Sequence, residues 1–416
     1  MEELALYGGP KVKTTPFSTG KRFGEPELEQ LRQALEQNTL FYWFGKKVKE
    51  FNKKFADMYG MPYCVATSSG TAAIHVALGA VGVTEGDEVI TSPITDMGSI
   101  IGILYQNAIP VFADVDPHTY NMTPEAIEAK ITDKTKAILV VHLAGNPADM
   151  DPIMEIAKKH NIKVIEDCAQ SYLTYYKGRL VGTIGDIGCF SLNDFKHLSA
   201  GDGGMLVMRD EETYKIAFRF ADKNYNRMGK TVEEIRAIDH IAPNYRMNEL
   251  TGAVGIAQLD RMDFICSTRN RWGEMLTAGI KDLPGVIPHL VKEGNKSSYW
   301  FYMYRVDPKT LKVDLQTYVD ALVAEGLPAQ KGYIHAPVYA YGLFRNKTAY
   351  PGTHAPFDSH YYGREISYPK GLCPVAEEVL NEAIKFNINE FYSQQDMQDI
   401  IDIITKVTNY FTKGEA

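Results

Sequence analysis

Val164-Ile-Glu-Asp-Cys-Ala-Gln170 is a β-branched apolar run that ends in a carboxylate and an amide. It reads as a buried strand over Lys163–Glu166 that opens into a polar loop. Upstream, from about residue 60, similar short runs alternate with helical stretches. Tyr63–Ala66 is a strand, Thr71–Ala80 a helix with one apolar face, and Glu88–Thr91 a strand. A helix from about Gly98 to Gln106, a strand over Pro110–Val115 and a helix over Pro124–Ile131 come next. A strand over Ala137–Leu143 and a helix over Asp151–His160 complete the series. Alternating units of this length predict an α/β protein whose mostly parallel sheet is flanked by helices. Ligands of such sheets sit at the carboxyl ends of the strands.

Polar residues collect at those ends. Ser68-Ser-Gly-Thr-Ala-Ala73 follows a strand and opens a helix, where free N–H groups and the dipole suit a phosphate. An ordinary Ser/Thr N-cap is the plainer reading of that run alone. Downstream of Asp167 lie Ser191-Leu-Asn-Asp-Phe-Lys196 and Ser199-Ala-Gly-Asp-Gly-Gly204. Singly, each of these residues reads as a solvated lysine, a turn or a cap. In this order they fit a pyridoxal phosphate site, with Lys196 forming the Schiff base, Ser191 holding phosphate and Asp167 pairing with the pyridinium nitrogen.

From about residue 210 the chain becomes more helical, with Gly252–Met262 a strong helix candidate. Near residue 265 its character changes. Trp300–Val306 reads as a strand, Leu315–Glu325 as a helix and Gln394–Phe411 as a long terminal helix. This predicts an N-terminal arm and large domain over 1–262 and a smaller α+β domain over 263–416. The Gly-, Pro- and Tyr-rich stretch Tyr339–Tyr362 reads as an irregular surface segment. A net charge of −8 gives no electrostatic reason to expect nucleic acid or an anionic membrane as partner. No apolar run approaches the ~20 residues that span a bilayer, and the first ten residues lack a signal-peptide pattern. The five cysteines are scattered without CxxC spacing, which suits a reducing cytoplasm and offers no metal site.

Ordered motifs along nearly the whole chain resemble the DegT/DnrJ/StrS family of sugar and cyclitol aminotransferases, of pyridoxal phosphate fold type I. They are Gly45-Lys-Lys-Val-Lys-Glu-Phe51, Ser69-Gly-Thr-Ala-Ala73, Glu85-Gly-Asp-Glu-Val-Ile90 and Val141-His-Leu-Ala-Gly-Asn-Pro-Ala-Asp-Met-Asp151. Glu166-Asp-Cys-Ala-Gln-Ser171, Lys196 with Gly201-Asp-Gly-Gly204, Asn244-Tyr-Arg-Met-Asn-Glu249 and Cys373-Pro-Val-Ala-Glu-Glu378 continue them. The opening Leu4-Ala-Leu-Tyr-Gly-Gly-Pro10 is similar to that of members acting on cyclitols. The resemblance implies the aspartate aminotransferase fold. Lys196 then matches the Schiff-base lysine, Asp167 the pyridinium partner, and Gln170 a residue near the ring face or its 3′-oxygen. Gly70, Thr71 and Ser191 match the phosphate site. Asn244 matches an asparagine that reaches the phosphate of the neighbouring subunit, which implies a homodimer with shared sites; an N-cap for the following helix is its plainer reading. His335, in Tyr333-Ile-His-Ala-Pro337, falls where members contact the acceptor, and Tyr333 is taken with it.

Two positions depart from the family pattern. Asp96, in Ser92-Pro-Ile-Thr-Asp-Met97, stands where an aromatic ring usually stacks on the cofactor, and Asp has no π-face. Tyr172 replaces a frequent histidine. The implied activity is transfer of an amino group from L-glutamate or L-glutamine to a keto sugar or cyclitol ketone. It passes through pyridoxamine phosphate in a ping-pong sequence, with Lys196 as proton shuttle. The rival readings are a sugar dehydratase of the same family, whose members carry histidine in place of the lysine, and a non-catalytic cofactor-binding regulator.

Overall fold

The computed structural model describes residues 2–413. Seven strands form the main sheet: β1 (Tyr63–Thr67), β2 (Glu88–Thr91), β3 (Ile109–Phe112), β4 (Thr135–Val141), β5 (Lys163–Asp167), β8 (Ile187–Ser191) and β9 (Gly204–Met208). Between β5 and β8, β6 (Tyr175–Tyr176) and β7 (Arg179–Leu180) make a short antiparallel hairpin. The spatial order is β1-β9-β8-β5-β4-β2-β3, with every pair from β8 to β3 parallel. β9 alone runs against both neighbours. The mostly parallel α/β sheet read from the alternation is therefore present.

Helices α1 (Glu25–Glu36), α2 (Lys47–Tyr59), α3 (Gly70–Ala80), α4 (Met97–Tyr105), α5 (Pro124–Glu128) and α6 (Met150–His160) accompany the first five strands. α7 (Glu211–Phe220), α8 (Val232–Ile235) and α9 (Glu249–Leu259) follow β9. Side chains alternate across a strand, so each central strand feeds two cores. Ile138 and Val140 of β4 and Val164 of β5 pack in the core that holds Phe51, Phe55, Ile153 and Ile256. Ala137, Leu139 and Ile165 point to the opposite core, with Ala73, Val76 and Ala77 of α3. Polar strand ends are thereby left at one edge of the sheet.

The helix expected over Gly252–Met262 begins earlier, at Glu249, and stops at Leu259. A separate helix, α10 (Met262–Ile280), starts directly after it. Met262, Ile265 and Cys266 of α10 belong to the first core, whereas Trp272, Leu276 and Ile280 belong to the core of a second, four-stranded sheet. That antiparallel sheet has the order β10 (Val286–Pro288), β11 (Tyr302–Val306), β13 (Ala383–Phe386), β12 (Gln330–Lys331). α11 (Pro308–Leu311), α12 (Leu315–Glu325), α13 (Gly342–Arg345), α14 (Pro374–Glu382) and α15 (Gln394–Lys413) complete the chain.

The stretch Tyr339–Tyr362 corrects the surface-segment expectation. It is irregular, but Tyr339, Phe344, Phe357 and Tyr362 are buried. They cover β3, the edge strand, where Phe112 meets the rings of Tyr339 and Phe344, both at 5.6 Å. An uncovered edge strand with a large apolar side chain invites mispairing, and these aromatics remove that exposure. Their spacing follows no helical or strand period, which is why the sequence pattern reads as surface.

The first residues pack on the smaller sheet's side. Leu4 is fully buried there, and the Lys13 ammonium, 3% exposed, lies 2.8 Å from Asp396 and 2.7 Å from Asp399 of α15. Burial opposes the Asp396 charge. The Lys13 ammonium, with donors from Ser18 and Ser393, outweighs it and holds the carboxyl well below the usual carboxylate range. A carboxyl depressed in this way contributes stability above its unfolded pKa and loses it as pH falls through the folded value. Lys13→Met leaves two carboxylates facing a desolvated gap, so unfolding free energy should drop by about 3–5 kcal/mol at neutral pH. In denaturant titrations the gap between the two proteins should narrow as the pH falls below about 4.

Candidate active site

Asp167 closes β5 and its side chain is 4% exposed. One carboxylate oxygen accepts from the Ser99 hydroxyl at 2.7 Å and the other from the Ala169 N–H at 3.0 Å. Ser99 is itself 2.7 Å from the Thr95 hydroxyl, so with Ser99 donating to Asp167, Thr95 donates to Ser99. No cation among the described residues forms an ion pair with Asp167, and burial pushes its carboxyl up from the usual range. Lys196 shares its cavity. Burial pushes this ammonium down to about 8, partly offset by the charges of Asp167 and Asp96. Its Nζ lies 3.5 Å from the centre of the Trp300 ring, a cation–π contact in a desolvated setting.

The cavity, about 340 Å³, lies at the carboxyl ends of the strands. Gly70, Thr71, Asp96, Asp167, Gln170, Ser191, Lys196 and Tyr333, all singled out in the sequence, line it. The N-termini of α3 and α4 converge there: a Cβ on Gly98 would stand 2.7 Å from the Thr71 hydroxyl. A Cβ on Gly70 would come within 2.6 Å of the Ser191 Cβ, so only glycine allows that approach. Two converging helix N-termini beside the hydroxyls of Thr71 and Ser191 make a cradle for an anion. Ser69 caps α3 as well, accepting from the Ala72 N–H at 3.0 Å. The plain cap reading of this run thus holds beside the anion-cradle geometry.

Gln170 accepts from the Ala144 N–H at 2.8 Å and donates its amide to the Tyr333 hydroxyl at 3.2 Å. Tyr333 stacks on Phe301 at 4.9 Å and meets Trp300 edge-on. Trp300 in turn donates its indole N–H to the Phe195 carbonyl at 2.7 Å, bracing the Lys196 loop. Asp96 is exposed at the cavity rim and caps α4 through the Gly98 N–H at 2.8 Å. The aromatic side chains of this cavity come instead from Phe195, Trp300 and Tyr333.

Tyr172 does not reach the cavity. It is fully buried, packs against Phe190 and His197, and donates its hydroxyl to the Ser191 carbonyl at 2.8 Å. Tyr172 thus supports Ser191 from beneath. His197 is buried too, with Nε2 donating to the Ser298 carbonyl at 3.0 Å, so it points away from the site. Behind β5, His142 Nδ1 accepts from the Ala148 N–H, which puts the ring proton on Nε2, facing Glu166 at 3.0 Å.

Asn244 and His335 do not line the cavity. Asn244 is exposed, bridged to Asp222, one residue before a Tyr245 carbonyl that accepts from the Ser68 N–H at 2.8 Å. It is not the N-cap of α9, because Asn248 takes that place with bonds to the N–H groups of Leu250 and Thr251. His335 is exposed and stacks on Tyr341 at 4.9 Å. Residues the sequence did not single out include Ser99, Thr95, Trp300 and Arg22. The Arg22 guanidinium donates to the carbonyls of Asp194, Lys196 and His197 and so holds the lysine loop from the N-terminal arm.

Known proteins are similar to this chain in sequence and in fold. The chain is 31% identical to L-glutamine:2-deoxy-scyllo-inosose aminotransferase of Streptomyces lividus, over 98% of both chains. It is 33% identical to GDP-perosamine synthase of Escherichia coli O157:H7, over 91% of this chain and 98% of that one. The crystal structure of an aminotransferase from Psychrobacter cryohalolentis superposes with a TM-score of 0.83 at 29% identity, covering 95% of this chain and all of the other. Residues 21–371 match the DegT/DnrJ/EryC1/StrS aminotransferase family, and the chain belongs to it.

Proposed function

We propose that this aminotransferase uses pyridoxal phosphate to move an amino group from L-glutamate or L-glutamine to a ketone on a sugar or cyclitol. The observation that carries the reading is the meeting of Lys196 and Asp167, both buried, in one cavity whose far end is an anion cradle. The residues fit the cofactor. Lys196 would hold its aldehyde carbon, Asp167 its ring nitrogen, Gln170 its ring face or 3′-oxygen, and Gly70, Thr71 and Ser191 its phosphate. When bound, the cofactor supplies an electron sink for the bond electrons left at the donor Cα. Asp167 keeps a proton on the ring nitrogen, and Ser99 keeps the carboxylate oriented. Lys196 Nζ, released when the donor arrives, takes the Cα proton and returns it on the other side of the transfer. Its lowered basicity suits both directions, because the neutral amine is far more populated near neutral pH than that of a solvated lysine.

The donor leaves as a 2-oxo acid, and the ketone then takes the nitrogen in a second half-reaction, giving ping-pong kinetics. Tyr333 and His335, at and beside the rim, are placed here on the acceptor side, with Asp96 at the entrance. A lysine in the cavity and a histidine turned away at 197 favour transamination over the dehydratase branch of the family. Division of the chain at residues 262 and 263 belongs to the same reading, with α10 joining the two parts. Absorbance separates these readings. The band of the lysine-bound cofactor should disappear on adding L-glutamate or L-glutamine and return with a keto sugar or cyclitol ketone. A band that neither donor alters would overturn the proposal.

The functional unit in this reading is a homodimer, with Asn244 completing the phosphate site of the neighbouring subunit. Exposure of Asn244, together with Ile241 at 96% exposed on the same loop, supports a covered face there. Lys196→Ala and Asn244→Asp proteins should each be inactive. Allowed to exchange subunits, they form mixed dimers with one intact site each. A statistical mixture should recover about a quarter of wild-type activity. Exchange verified by mass, with no recovered activity, would assign Asn244 to its own subunit.

A further inference from the structure

A second cavity, of about 500 Å³, adjoins the first, and Phe195 and Trp300 line both. It lies between the arm residues Thr19–Arg22 and the segment 385–391 of the small sheet. Three cations line it against one carboxylate: Arg22, Arg269 and Lys385, with Glu390. This excess of positive charge belongs to a chain whose net charge is −8.

Two of the cations are already committed. Arg269 is held by Glu390 at 2.8 Å and donates to the Trp300 carbonyl at 3.1 Å. Arg22 spends its guanidinium on the carbonyls of the Lys196 loop. Lys385 is different. It is half-buried, its Nζ lies 5.4 Å from the Phe301 ring, and no carboxylate among the described residues forms an ion pair with it. Burial alone pushes its ammonium down from the usual lysine range. A desolvated ammonium without an anion is costly to keep, and it gains most from a ligand that brings one. Its position also constrains the ligand. Phe195 and Trp300 line both cavities, and the Phe301 ring beside the Lys385 ammonium stacks on Tyr333 of the first, so the second cavity borders the first along an aromatic wall.

We propose that this second cavity is the subsite for the distal carboxylate of a dicarboxylate amino donor, with Lys385 as its cation, which makes L-glutamate the donor rather than L-glutamine. The inference rests on the aminotransferase reading for the identity of the ligand, and its test does not depend on turnover. The probes are glutarate and its monoamide, unreactive five-carbon acids that differ only at the distal group, titrated calorimetrically into the cofactor-loaded protein. Glutarate should bind about tenfold tighter or better. Lys385→Met keeps the aliphatic stem over Phe301 and should reduce glutarate to the level of the monoamide, whereas Lys385→Arg should retain the preference. The absorbance of the bound cofactor, unchanged in both variants, would report an intact site. Equal binding of the two probes, or a preference that survives Lys385→Met, would overturn the subsite. Failure of both L-glutamate and L-glutamine to discharge the cofactor band, with the glutarate preference intact, would instead overturn the aminotransferase reading and leave the carboxylate subsite standing; discharge by L-glutamine and not by L-glutamate would overturn the choice of donor.

Discussion

Lys196→Ala should lower transamination by at least about 10³-fold, to background, and should remove the borohydride-reducible cofactor adduct. The magnitude follows from the two roles proposed for one nitrogen, covalent attachment and proton transfer, for neither of which another lysine lines the cavity. Peptide mapping after reduction of the wild type should find the label at residue 196; label on another lysine would overturn the assignment. The pH dependence carries a sign. Burial makes the Lys196 ammonium acidic, and Asp167 and Asp96 restore only part of the loss, which leaves its pKa near 8. Only the neutral amine attacks an aldehyde, so cofactor uptake by the apoprotein should quicken as pH rises and level off above about 8. A rate that continues to climb through 10 would indicate an ordinary solvated lysine. Trp300→Ala tests the same environment: losing the cation–π contact lowers the midpoint, but relief of burial, the larger cause, outweighs it, so the midpoint should move upward.

Much of this site could be read from the sequence because its parts sit at strand ends, and strand ends follow from local pattern. β-branched runs of four to seven residues identify β1, β2, β4 and β5 within two residues of their observed ends. Thr71, Asp167 and Ser191 then fall together by topology alone. Residues that reach the cavity from elsewhere carry no such local signal. Trp300 stands two residues before β11 of the other sheet, and its role exists only once that sheet docks against the lysine loop. Arg22 lies in the arm, and its partners are main-chain carbonyls that no pattern of residue types reveals. Ser99 could have been found, since it stands one turn into a helix that opens with Asp96 at the same strand end. The departure at Tyr172 was visible, but its consequence was not, because only the packing shows its hydroxyl spent on the Ser191 carbonyl. The distinction between Asn244 and Asn248 likewise turned on where α9 begins, and helix ends are the least legible feature of a sequence.

Asp167→Asn should cost at least about 10²–10³-fold in turnover and leave the fold intact. The amide keeps the size, and its oxygen can still accept from the Ala169 N–H while its NH2 donates to the Ser99 hydroxyl in the reversed direction; it would not hold a proton on the ring nitrogen, so the ring would lose its capacity to draw electrons from the donor Cα. Stability should move the other way. Burial is the first cause of the raised Asp167 pKa, and the Ser99 and Ala169 donors and the distant Lys196 charge do not offset it. For a carboxyl whose folded pKa exceeds its unfolded value, the stabilising contribution is present at low pH and is lost as pH rises through the folded pKa. Above that folded pKa the cofactor-free protein carries the burden of a buried charge, and replacing it there with an amide should leave the melting temperature equal or higher. The loaded proteins should show the reverse order. In the proposed site, binding would pair the Asp167 carboxylate with a protonated ring nitrogen, so wild type should gain more thermal stability from the cofactor than Asp167→Asn does. Two measurements, melting temperature with and without cofactor and turnover, thus separate a functional carboxylate from a structural one. A structural Asp167 would give an apoprotein of lower melting temperature together with near-normal turnover in whatever remains folded, and that pair of results would remove it from the chemistry.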